Sequence, residues 1–241
     1  MISIAHHTEL DYANLPHIDA DGVGRLDHCD LACLDELGEF LVAVEASERF
    51  GVSLLHQHFA VRDGEMMVET VDGEAGLIRL RPERADESAQ PILVRFSEAD
   101  DRGNGLVALE FALNLGGVAP ITSNDAQVLD GVRAILQRHA KLDRFGLRLI
   151  HDPLSAGLSS MLLETCDSRA RILTCRAVDA TDEALTQSVP TFFRWRDARI
   201  APSGQLVVTQ TIAAVCSVVR GCLSRPDGGH ETHSSHEPGA V

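Results

Sequence analysis

Residues 48–82, ERFGVSLLHQHFAVRDGEMMVETVDGEAGLIRLRP, and residues 143–177, DRFGLRLIHDPLSAGLSSMLLETCDSRARILTCRA, are two versions of one segment. They align without a gap at an offset of 95, and 11 of the 35 positions are identical. The shared residues include Arg49/Arg144, Phe50/Phe145, Gly51/Gly146, His56/His151, Met66/Met161 and Glu69/Glu164. A repeat of this length predicts an internally duplicated architecture. The offset extends backward through Leu34-Asp35 and Leu129-Asp130, and loosely forward to Val94-Arg95-Phe96 against Phe193-Arg194-Trp195.

Ahead of each copy lies a helical pattern. Leu31, Leu34, Leu37, Leu41 and Val44 recur every three or four residues, and Val128, Val132, Ile135, Leu136 and His139 repeat the pattern. Gly51 and Gly146 read as the helix stops, and Ser123 or Asn124 as the start of the second helix. After each glycine the period becomes two. VSLLHQHFA, over 52–60, reads as a strand, Asp63-Gly64 as a hairpin turn that needs positive φ, and MMVET as the return strand. Further strands are expected at 76–82, 91–98, 105–113, 147–152, 161–166, 171–177, 191–196 and 205–213. The expected fold is therefore α+β: each half is one long helix packed on an antiparallel sheet of about five strands, and the halves are related by a pseudo-twofold axis. Hot-dog duplications share this element order. The organisation predicted is a polar N-terminal arm over 1–29, repeats over 30–116 and 123–220, and a disordered tail over 221–241 that carries His230, His233 and His236.

The formal net charge of −15 argues against nucleic acid or anionic lipid as a partner, since both demand a positive field. A small molecule or a protein is the expected partner, and either a monomer or a homodimer is compatible with the pattern. Neither a basic, apolar leader nor an uninterrupted apolar span is present, which predicts a cytoplasmic protein with six free thiols.

Alternation places Val52, Leu54, His56 and His58 on one strand face, and a hairpin would bring Glu69 to that same face. His56, His58 and Glu69 thus form a candidate site for a divalent metal: Fe, Zn or Mn. The same residues offer a second chemistry, with Glu69 orienting His56 as a general base. The second copy retains His151 and Glu164 as catalytic candidates but has Pro153 in place of His58, which confines a metal site to the first half. A third reading is structural: the His/Glu pairs only satisfy one another in the core of a non-catalytic scaffold.

Other patterns carry less. Asp19, Asp21, Gly24 and Leu26 match the opening of a calcium loop, but Val23 and Asp30 stand at positions 5 and 12. Cys29 and Cys33 beside His28 lie one helical turn apart with no partner pair of ligands. The segment FGVSLLHQHFAVRDGEMMVE is similar to a Phe-Gly…Leu-His-x-His…Gly-Glu pattern of an uncharacterised bacterial and fungal protein family, and the resemblance implies no particular activity.

Overall fold

The computed structural model of the protein describes residues 4–6, 9–18, 24–97, 105–151, 160–200 and 206–218. Five strands come from the first repeat: β2 (Phe50–Leu54), β3 (Glu65–Asp72), β4 (Leu77–Arg84), β5 (Gln90–Phe96) and β6 (Leu106–Ala112). Five come from the second: β7 (Phe145–Leu149), β8 (Ser160–Asp167), β9 (Ile172–Asp179), β10 (Ser188–Ile200) and β11 (Leu206–Ser217). They close into one barrel in the order β6-β3-β4-β9-β8-β11-β10-β2-β7-β5 and back to β6. The two-residue β1 (Ala5–His6) runs parallel to β6 at Val107 and Ala108, the part of that edge β3 does not reach.

The expected α+β fold of two helix-on-sheet halves is overturned: the protein is a closed mixed β-barrel of ten strands. β2 does not return against β3. It pairs with β7 and β10, both from the other repeat, and β4 pairs with β9. The Asp63-Gly64 turn does form, with Gly64 at φ 74°, but it launches β3 after a loop rather than joining β3 to β2. Two ladders, β3 with β6 and β8 with β11, are parallel and so could not have come from local hairpins. With no edge left open, the backbone groups of both repeats are satisfied in one sheet.

The sequence offset appears directly in the register. β2, β3 and β4 recur as β7, β8 and β9 displaced by 95 residues. Val52 faces Leu147 and Arg79 faces Thr174, so each of these pairs joins a residue to its own equivalent. Exchanging the equivalent strands maps the ring onto itself in reverse order. β5 and β10 even bulge at the same place, which sets Pro91 opposite Phe111 and Pro190 opposite Val215.

Three helices accompany the barrel: α1 (Glu9–Ala13), α2 (His28–Ala43) and α3 (Ala126–Arg138). They are short, and α2 packs on α3 and on β10 and β11 rather than covering a sheet of its own half. Leu34, Leu37 and Leu41 of α2 are fully buried, whereas Leu31 is half exposed. The helix stops are not Gly51 and Gly146. Glu45 and Ala140, also 95 apart, take the left-handed turn, and Ala46 N–H and Lys141 N–H reach back to the carbonyls of Leu41 and Leu136 at 2.8 Å each. The two glycines lie inside β2 and β7. A side chain on Gly51 would meet the Phe193 carbonyl at 2.6 Å, and one on Gly146 the Val94 carbonyl at 2.8 Å. Among the described residues no helix is long and apolar enough to cross a membrane.

Each repeat's arginine braces the other repeat's helix. Arg144 reaches Asp30 in the first turn of α2 at 2.9 Å, with Lys141 at 2.6 Å on the other carboxylate oxygen. Arg49 holds Asp125, at the start of α3, through two bonds of 2.8 and 3.0 Å. Asp30 also closes a capping box with Asp27. Burial pushes the Asp30 carboxyl up, but the bonds from Lys141 and Arg144 outweigh it and hold it below the usual range. A depressed folded value means that the brace is fully present above the unfolded pKa and is lost as pH falls through the folded one. We expect Asp30→Asn to cost ~2–3 kcal/mol near neutral pH. Urea melts should show that this deficit shrinks as pH drops below about 4, where Asp30 of the unfolded wild-type chain begins to protonate while the folded carboxylate is still ionised.

Candidate functional site

Glu69, Glu110, Glu164 and Arg148 line cavities of the barrel together with His56, His58 and His151. Arg148, on β7, stands where the first repeat has Ser53. Its guanidinium donates to Glu110 of β6 at 2.6 Å and lies 3.6 Å from Glu69 of β3. Burial alone would lower the arginine's pKa; Glu110 and Glu69 outweigh it and raise it. Glu69, 4% exposed, is also 2.7 Å from His151 Nε2. Arg148, Glu110, Glu69 and His151 therefore form one buried, mutually satisfied network.

The structure does not bring Glu69 to His56. The hairpin that would have placed it there is absent, since β2 and β3 are not neighbours. Of the predicted metal set, His56 and His58 do come together, with ring centroids 4.5 Å apart and nearly perpendicular planes. The third donor beside them is Cys216 of β11. The ligand atoms of His56, His58 and Cys216 all lie within 4.8 Å of one another. Tetrahedral zinc needs nitrogen and sulfur donors about 3.3–3.8 Å apart, so these have on the order of 1 Å to close.

Local structure explains the placement. β2 ends at Leu54, and the chain from Leu55 onward crosses the end of the barrel instead of extending the strand to residue 60. Leu55 N–H bonds the Arg144 carbonyl, Gln57 N–H the Pro16 carbonyl, and Cys166 Sγ of β8 the His58 carbonyl. The N-terminal arm closes the same end: Tyr12, Leu15 and Ile18 are buried, and Asp11 pairs with Arg95 at 3.0 Å. His56 and His58 are thus held from both sides.

Their chemistry differs. His56 Nδ1 is 2.9 Å from the Leu54 carbonyl, which can only accept, so Nδ1 carries the proton. Its Nε2 is buried and has no hydrogen-bond partner among the described residues. Burial, reinforced by His56 and Arg148, drives the pKa of His58 well below its ordinary value and keeps that ring uncharged. Two imidazoles beside a thiol are a metal's natural donors, since each can offer a lone pair once its proton is released.

In the second repeat the equivalent constellation is closed. His151 Nδ1 faces the Leu149 carbonyl at 3.4 Å, and Glu69 occupies its Nε2. Glu164, the equivalent of Glu69, does not serve His56 in return; it accepts from Thr191 Oγ1 at 3.0 Å. Burial pushes the Glu164 carboxyl up against the lowering effect of His56 and Arg148. Ala112, paired with Glu69 in register, stands where Cys216 pairs with Glu164. Pro153 lies outside the described residues.

Among the described residues, two cavities lie against these side chains. One of about 20 Å³ touches His56, His58, Ser53, Glu164 and Thr191; the other, of about 50 Å³, touches Glu69, His151, Glu164 and Cys175. A water needs roughly 10–15 Å³ on this measure, so the first holds one water and the second a few.

The remaining sequence patterns resolve differently. Asp19 and Asp21 of the calcium-loop pattern fall outside the described residues, as does the tail with its three histidines. Asp30, its last position, is already bound by Lys141 and Arg144. Asp27, His28 and Cys29 gather on the exposed start of α2, while Cys33 is buried, its thiol pushed up to about 11. Sequence reading missed Arg148, Glu110, Thr191 and Cys216. The first two had a visible signal, a single charge inside an apolar strand (FGLRL and LVALEFA), whereas Cys216 looks like ordinary core. Compared with known proteins, the chain matches no family model, no curated protein and no solved structure.

His56 and His151 occupy equivalent places with different obligations, which gives an internal control. We expect His151→Ala to destabilise the protein by ~1–3 kcal/mol more than His56→Ala, because it strands Glu69 in the interior. Paired urea denaturation curves with unchanged slope would show the difference.

Proposed function

We propose that the protein binds one divalent metal ion inside the barrel, through His56, His58 and Cys216. The observation that carries this reading is the buried, unpartnered Nε2 of His56, set within 4.8 Å of the His58 imidazole and the Cys216 thiol. Leaving such an atom unsatisfied costs roughly 1–3 kcal/mol, a cost that a bound metal removes. Two of the nearby carboxylates do not compete for the role. Glu69 and Glu110 are committed to Arg148 and His151, so the polar network already balances itself.

The donor set selects among the metals. Two nitrogens and a sulfur are softer than the two-histidine, one-carboxylate set expected from sequence, and they favour zinc over Fe(II) or Mn(II). Binding has to release the Cys216 proton, so affinity should rise with pH. Cavity size argues against a bulky organic ligand, for which free space of 20–50 Å³ is several times too small.

The test is zinc content and affinity of the full-length chain with His230, His233 and His236 replaced by alanine, so that the tail cannot contribute. We expect one zinc per chain, its loss in His56→Ala/His58→Ala, and at least about a hundredfold weaker binding in Cys216→Ser. Zinc at 100 times its Kd should also stabilise the fold by about 2.7 kcal/mol. No binding by the parent, or equal binding by the double variant, would overturn the proposal and favour the scaffold reading of a barrel whose His/Glu groups are structural.

A further inference from the structure

The two repeats compare the same His/Glu pair in two states. Between His151 and Glu69 the pair is closed at 2.7 Å, while His56 Nε2 is left without a partner and Glu164 is held by Thr191 at 3.0 Å. The bulged registers identify what stands in Thr191's place in the first repeat. Leu93 lies opposite Glu110 as Phe192 lies opposite Ala214, so Ile92 is the equivalent of Thr191. Isoleucine has no hydroxyl, and nothing draws Glu69 away from its histidine. Arg148 adds to the difference, since it anchors Glu69 from the other side while Ser53 occupies its place in the first repeat.

Resting on the metal-binding reading above, we infer that Thr191 is a positioning residue that holds Glu164 off His56, and that the resulting centre keeps one exchangeable coordination position. That position faces the cavity walled by His56, His58, Ser53, Glu164 and Thr191. Structural zinc sites fill all four positions with protein ligands, whereas catalytic ones use three and leave the fourth for water. Here the described residues supply three donors. The cavity of about 20 Å³ fits one further atom with its hydrogens, so the ligand class is water, hydroxide or a monatomic anion. Its lining includes Tyr12, Ser53 and Thr191, the carboxyl residues Glu110 and Glu164, and Arg148, side chains able to hydrogen-bond a metal-bound water or anion. If Glu164 moved onto His56 Nε2, as Glu69 sits on His151, it would hold a proton on that nitrogen and the metal would lose a ligand.

The experiment uses the same full-length chain lacking the tail histidines, loaded with Co(II) as a visible reporter. We expect fluoride to shift the cobalt absorption bands and thiocyanate, three heavy atoms long, to leave them unchanged. Thr191→Val, nearly the same shape without the hydroxyl, should weaken metal binding by about tenfold or more and abolish the fluoride response; Thr191→Ser should restore both. Bands that ignore fluoride, together with wild-type affinity in Thr191→Val, would overturn the inference and leave a closed metal site. A wild-type chain that takes up no cobalt or zinc would instead remove the metal reading and this inference with it.

Discussion

A guanidinium sealed inside a β-barrel has to be answered by carboxylates, and the interior of this protein is arranged around that demand. Arg148 sits on β7 with its backbone opposite Gly51, close to the point where the two repeats meet. Removing one partner from such a pair leaves an uncompensated charge, at a cost of roughly 3–5 kcal/mol. Glu110 answers directly and Glu69 at slightly longer range, and Glu69 in turn fixes His151. Four side chains from β3, β6, β7 and the segment after β7 are locked by one charge. What this network consumes decides what is left over. Glu164, His56, His58 and Cys216 stand outside these hydrogen bonds, although the charge of Arg148 still reaches Glu164 and His58.

Closure of the barrel follows from the same geometry of exchange. Each repeat alone would present strands with open edges, and the edges that match are those of the other copy. β2 meets β7 and β4 meets β9, and each of these seams runs through a pair of equivalent residues. The helices are clamped across the same seam, Arg49 to Asp125 and Arg144 to Asp30. Neither half can complete its sheet or its helix brace without the other. The glycines at 51 and 146 belong to this seam too, because a Cβ there would collide with the neighbouring strand's backbone.

The positions of the strands were legible in the sequence, because alternation and turn residues are local properties. Their partners were not. A short run such as FGVSL is apolar on both faces, buried throughout in the barrel, and carries no mark of which edge it joins. The hairpin signal at Asp63-Gly64 was sound as a turn and misleading as a pairing, since the preceding residues were pinned elsewhere by Pro16, Arg144 and Cys166. The helix stops were misplaced for a related reason. Glycine at 51 and 146 suggested a left-handed turn, which Glu45 and Ala140 adopt instead, held by their backbone bonds. At the site, the identity of His56 and His58 was readable from parity. The carboxylate assigned to them depended on a pairing that does not exist, and Cys216, 158 residues beyond His58, has no local signal at all.

Duplication explains why an unpartnered donor can persist in a buried place. In a symmetric ancestor of this arrangement the two His/Glu pairs would be alike, and each would be satisfied as His151 and Glu69 are. Besides Glu110 against Ala214, the copies differ in Arg148 against Ser53, Thr191 against Ile92, Cys216 against Ala112 and, in the sequence, His58 against Pro153. Of these four, the first stands beside the closed pair and, on the inference drawn above, the second holds the other pair open. The last two place donors beside the histidine so released. One copy carries the buried charge network, the kind of fixed surrounding a metal site needs from its supporting shell. On the metal-binding proposal, a packing pair made redundant on one side would become available for chemistry, while its twin continues to hold the fold.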